Sequence, residues 1–163
     1  MAKELEIFSQ EDYEENIDFK GIFVFKGDTL EVRGNSKVEA SGNSRIYAYD
    51  NSVVSAHDRS VVSAYDNSVV FASGNSKVYT YDNSKVEASG NSRIYAYDNS
   101  VVSAHDRSEV TAYDNSEVNA SGNSKVEAYN KSKVFAKDEV TVKAYDNSDV
   151  LIKGDDVTFI DNR

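Results

Sequence analysis

Seven tyrosines recur at a fixed interval of sixteen residues: Tyr49, Tyr65, Tyr81, Tyr97, Tyr113, Tyr129 and Tyr145. Rings brought one above another stack with an offset while their hydroxyls stay free to hydrogen bond, so the column offers two kinds of chemistry. One is stabilisation of an edge by stacking, and the other is a seam for side-to-side contact with a second copy. Arg33 holds the same place one interval before Tyr49, where its guanidinium would close the stack with a cation–π contact. A second column is acidic, with Asp50, Asp66, Asp82, Asp98, Asp114 and Asp146 directly following tyrosines. Calcium needs several carboxylates of similar reach, and each corner supplies one. These carboxylates are therefore expected to accept backbone amides two residues on.

His57 and His105, the two histidines, occupy identical HDRS contexts 48 residues apart. Stacking would separate them by roughly 15 Å, too far for a catalytic or metal-binding pair. Arg45, Tyr47, Lys77, Tyr79, Arg93 and Tyr95 form an aromatic and basic set. Such faces hold sugars, extended peptides or single strands, although outward β positions favour these residue types in any case. No Gly-rich phosphate loop, nucleophile beside a base or paired-carboxylate cleft is legible. The chain reads as non-enzymatic, with no cofactor and no metal.

The element that must position these residues is an eight-residue phrase repeated from Gly34 onward, as in DNSVVSAH at Asp50–His57. Numbered one to eight, its third, fifth and seventh places are, with few exceptions, Ser, Val or Ile, and Ala, while the fourth, sixth and eighth vary. Period two with one constant apolar side predicts a strand with one buried face. The first two places, usually DN or GN, are turn formers, so each octad is a six-residue strand and a two-residue corner. The interior trio is small, which implies a thin core, and the buried Ser hydroxyls need partners among corner backbone groups or neighbouring Ser.

Two octads per coil keep every Tyr above a Tyr, whereas three would stack Tyr49 on Ser73. The sixteen-residue coil is therefore predicted, and from Asp18 to Asp161 it gives about nine coils. The fold class is all-β, a parallel β-solenoid of two back-to-back sheets with a short N-terminal helical cap. Residues 1–17 form the cap and 18–161 the solenoid. A helix is expected over roughly residues 10 to 17, with Ser9 as N-cap and Phe8, Tyr13, Ile17 and Phe19 covering the first coil. Writing Asp18–Phe25 as an octad places Lys20, Ile22 and Val24 inside, and Lys26–Arg33 places Asp28, Leu30 and Val32 inside. At the other end Val157, Phe159 and Ile160 offer strand edges for end-to-end association.

Composition fits a thin rod, since only 39% of the residues are hydrophobic and Trp is absent. A net charge of −10 makes nucleic acid and anionic membranes poor partners. No apolar run is long enough for a signal peptide or a membrane span, so the cytoplasm is the default location.

The octad pattern [GD]xSx[VL]xA, paired into sixteen-residue units with one Tyr each, resembles the tandem repeats of bacterial ice-nucleation proteins from about Gly34 to Lys153. The resemblance implies a stacked β-solenoid that associates with its own kind and displays an ice-organising row of Thr. Here the outward places read Lys37/Glu39, Val53/Ser55 and Val69/Phe71 on one face and Arg45/Tyr47, Val61/Ser63 and Lys77/Tyr79 on the other. The expected function is a rigid scaffold or protein-interaction surface that forms homo-oligomers, end to end or along the Tyr edge, with a protein or glycan as a further partner. Ice binding is one alternative, and an acidic mimic of nucleic acid that inhibits a DNA-binding enzyme is another.

Overall fold

The computed structural model describes residues 2–163. Strands of four residues recur in nearly every octad, at places four to seven, as in Val53–Ala56 and Val61–Ala64. They are shorter than the six residues expected because places eight, one, two and three form the corner. There the N–H of Ser52 donates to the carbonyl of Tyr49 at 3.2 Å and closes the turn. Every first place from Gly34 to Asp146 has positive φ, for example 61° at Asp50 and 71° at Gly42. Only Gly, Asp and Asn occupy it, the residues that adopt left-handed backbone at least cost.

Alternate strands build two parallel sheets, one of ten strands and one of nine. Strands pair one coil apart in register, so Lys85, Val86, Glu87 and Ala88 lie beside Val101, Val102, Ser103 and Ala104. The chain makes nine complete coils, and Glu4–Ile7 adds a first strand to the larger sheet by pairing with Ile22–Phe25. Between the sheets lies a core of Val, Ile and Ala, including Val54, Ala56, Ile94 and Ala96, all inaccessible to solvent. The Ser column is buried as well. Most of its hydroxyls donate to the carbonyl three residues back, as from Ser60 to His57 at 2.8 Å and from Ser100 to Tyr97 at 2.7 Å, whereas those of Ser52, Ser76, Ser132 and Ser148 have no partner among the described residues. Where it forms, that bond replaces the water the hydroxyl loses on burial.

The entry segment differs from expectation in register. Phe23 and Phe25 are the buried pair, and Ile22 and Val24 face outward, the reverse of the phase read from the octad. Only fifteen residues separate Phe23 from its partner Val38, and one residue fewer turns every side chain of a strand to the other face. Asp28 is exposed, while Leu30 and Val32 are buried as expected. The helix spans Gln10–Glu15, capped by a reciprocal Ser9–Asp12 box. Tyr13 is buried and Phe19 packs on the core, whereas Phe8 and Ile17 are largely exposed and do not cover the first coil. Their place is taken by Leu5 and Ile7 of the first strand.

The helix closes the nine-stranded sheet by side-chain mimicry of a strand. The Gln10 amide accepts the Glu31 N–H at 2.8 Å and donates to the Glu31 carbonyl at 3.2 Å. The Tyr13 hydroxyl accepts the Arg33 N–H at 3.1 Å and lies 2.8 Å from the Ser36 hydroxyl. Edge groups that would otherwise recruit another chain are thereby occupied.

Candidate functional site

The corner that follows each strand of the nine-stranded sheet sets one Tyr per coil on the outer side of the rod, and all seven rings are half-buried. They form one continuous stack. Centroids lie 5.0 Å apart from Tyr49 through Tyr65 and Tyr81 to Tyr97. The spacing is 5.1 Å from Tyr97 through Tyr113 to Tyr129 and 4.5 Å at Tyr129–Tyr145. The planes are tilted by no more than 15° throughout. Arg33 caps the first ring with its guanidinium carbon 5.6 Å from the Tyr49 centroid. Burial against neighbouring rings pushes the phenols of Tyr49, Tyr81 and Tyr97 above their ordinary value. At Tyr129 burial and the nearby Glu127 carboxylate raise it to about 12.

Of the aromatic and basic set, the structure brings four members together. Tyr79 and Tyr95 stack at 5.2 Å, and the Lys77 ammonium lies 4.9 Å and 5.2 Å from their centroids. Arg93 sits beside Lys77 in register, but its guanidinium is held by Glu109 at 2.9 Å and 3.1 Å. Arg45 and Tyr47 lie two rungs away, separated from the rest by Val61 and Ser63. Because places six and eight share the outer face, the Tyr79–Tyr95 pair flanks Tyr81 and Tyr97. The aromatic surface is therefore two rings wide at these two coils and at the coil of Tyr47 and Tyr49, and one ring wide at the other coils of the stack.

The Asp column does different work from that expected. Each carboxylate accepts the backbone N–H of the corner residue one coil earlier, Asp50 from Gly34 at 2.9 Å and Asp66 from Asp50 at 3.1 Å. The same bond recurs on the opposite corner, where Asp58 accepts from Gly42 at 3.0 Å. The carboxylates thus clamp successive coils and do not form Asx turns. Among the described residues no three His, Asp or Glu side chains gather as a metal site, and no helix is long and apolar enough to cross a membrane.

Each histidine, too far from the other to form a pair, has a hydroxyl neighbour instead. His57 Nδ1 lies 2.8 Å from Ser73 Oγ and His105 Nδ1 lies 2.8 Å from Ser121 Oγ, in both cases one coil on. The signal was the Ser sixteen residues after each His. At the C-terminal end Val157 and Phe159 point inward and are partly buried, while Ile160 faces outward and is exposed. Arg163 reaches back over this end, its guanidinium 5.7 Å from the Phe159 ring and donating to the Ser148 carbonyl at 3.0 Å.

No protein-family model matches the chain, and comparison with curated proteins and with solved structures gives no match either.

Proposed function

We propose that the protein is a non-enzymatic rigid rod that serves as a scaffold and interaction surface and joins with copies of itself. The observation that carries this reading is the contrast between the two ends of an otherwise closed stack. At the N-terminal end Gln10 and Tyr13 occupy the backbone edge of the nine-stranded sheet. At the far end Leu151, Ile152 and Ile160 are exposed on terminal strands. Between the ends, rings already fixed by stacking lose little further freedom when a partner covers them, which favours contact along the Tyr edge. The mass in solution, measured by light scattering over a range of concentrations, tests the reading. Oligomers are expected, and a monomer at every concentration contradicts it. Replacing Tyr81, Tyr97 and Tyr113 with Ser lowers the mass only if copies meet along the Tyr edge.

A second reading takes up the resemblance to ice-nucleation repeats, favoured by the stacked sixteen-residue coil and its Tyr ladder. Against it, the outward column Val61, Lys77, Arg93, Glu109 alternates in size and charge where an ice-organising row repeats one small hydroxyl. A droplet-freezing assay indistinguishable from buffer ends this reading.

A further inference from the structure

Building on the reading that the rod self-associates, we propose that two copies join through their Asp149–Lys153 strands. The strands pair antiparallel about a two-fold axis at Leu151, making one continuous sheet. Asp149–Lys153 is the last strand of the ten-stranded sheet and has a neighbour on one side only among the described residues. The hydrogen-bond pattern of every coil says which of its groups face the open side. N–H groups at places four and eight point back to the previous coil, as Asp149 to Ser132 at 2.9 Å and Tyr145 to Ala128 at 2.8 Å. In a strand the peptide groups alternate sides, so places five and seven face forward. On this strand those residues are Val150 and Ile152.

An antiparallel pairing centred on Leu151 sets Val150 of one copy opposite Ile152 of the other, and the reverse. Both residues present N–H and C=O to the edge, so these become the hydrogen-bonded pairs and Leu151 meets Leu151 at the closer, non-bonded position. Inward-facing Val and Ile stay on the inner side in both copies. On the outer face the sequence DVLIK is complementary to its own reverse, so Asp149 of each copy lies opposite Lys153 of the other. Lys153 needs such a partner. It lies beside Lys137 in register, and neither lysine makes an ion pair among the described residues. Leu151, 47% exposed, and Ile152, 38% exposed, would be covered in the same step. Arg163 occupies the Ser148 carbonyl, which lies outside the Val150–Ile152 span.

The same reasoning excludes the alternative ends. The Glu4–Ile7 strand has its free edge at Glu4 and Glu6, and antiparallel pairing with itself places carboxylates against carboxylates. Head-to-tail growth in the register of the coil sets Glu4 beside Asp149 and gives Lys153 no acid. The closed two-fold dimer is the arrangement these charges permit, and an open filament is not.

Charge reversal and its repair test the interface. Sedimentation equilibrium is expected to find a dimer for the unaltered chain. D149K or K153D alone turns both ion pairs into like-charge contacts and is expected to weaken the dimer by on the order of thirtyfold. The double variant D149K/K153D exchanges the partners and is expected to restore it, with circular dichroism confirming that all three variants remain folded. A dimer unmoved by either single reversal overturns this interface while leaving self-association intact. A double variant no tighter than the singles also overturns it. A monomeric unaltered chain overturns both the interface and the reading on which it rests.

Discussion

The carboxylate of Asp66 accepts the backbone N–H of Asp50 across one full coil, at 3.1 Å, while its own N–H is held by Asp82 at 3.2 Å. One residue type thus meets two demands of the corner: a backbone with φ near 59° at Asp66, and a bond that ties the coil to its neighbour. The two demands can be separated by substitution. Asp66→Gly keeps the backbone conformation and loses the clamp, costing about 1 kcal/mol. Asp66→Ala loses the clamp and adds left-handed strain of about 1–2 kcal/mol more. Urea unfolding of both variants measures the gap, and an Ala variant as stable as the Gly variant contradicts the role assigned to φ.

The Tyr stack predicts a dependence on position. Tyr97 touches two rings, Tyr81 and Tyr113, whereas Tyr145 touches only Tyr129. Tyr97→Ser should destabilise the rod more than Tyr145→Ser by about 0.5–1.5 kcal/mol, the contribution of one stacked pair. Equal thermal shifts for the two variants would mean that ring contact adds nothing to simple burial.

Alkaline stability follows from Tyr129. Burial first, then the Glu127 carboxylate and the adjacent phenols, raises its folded pKa from 10.0 to about 12. A raised folded value means that the native state holds the proton more tightly than the unfolded chain does. The contribution is therefore whole below pH 10.0 and is lost as pH rises through about 12. Unfolding midpoints recorded from pH 9 to pH 12 should fall across that window for the unaltered chain and fall less for Tyr129→Phe. Identical slopes would contradict the assignment.

The thin interior predicts intolerance of added volume. Ala112 is fully buried and sits in register between Ala96 and Ala128, so the sheets close over a column of methyl groups. Ala112→Leu has no space to occupy and should cost about 1–3 kcal/mol through displaced backbone. Thermal unfolding by circular dichroism checks this, and an unchanged midpoint would mean that the sheets can part locally.

The repeat made the coil legible because each place carries a distinct chemical demand. Tyr at every sixteenth residue is compatible with only one way of stacking octads, and Gly, Asp or Asn at the first place marks the turn. The entry segment was less legible for a physical reason. In IFVF both phases of the strand are apolar, so alternation does not say whether Ile22 and Val24 or Phe23 and Phe25 face the core. The missing residue before Val38 decides it, and that shortening is invisible until the strands are paired. Likewise, the last coil is one residue longer, with Val142 beside Phe159, because the loop at Gly154 absorbs the extra residue.

The candidate surfaces show the same division. Membership of the Tyr edge was readable from spacing alone, but the state of each charge was not. Arg93 and Lys77 look equivalent in sequence; in the folded chain Glu109 holds Arg93, while Lys77 lies over two rings. The Asp clamps are not legible in the local sequence because their partners lie a whole coil away, beyond the reach of local turn rules.

Small-angle scattering at concentrations where the mass is also determined tests the central claim, that this rod joins copies of itself at its C-terminal end, most directly. One chain is 18.0 kDa, and its nine coils span roughly 40 Å at the ordinary strand spacing. The account predicts a particle of twice that mass and close to twice the length of a single rod. A particle of 18.0 kDa at every concentration, or a doubled mass without added length, would contradict it.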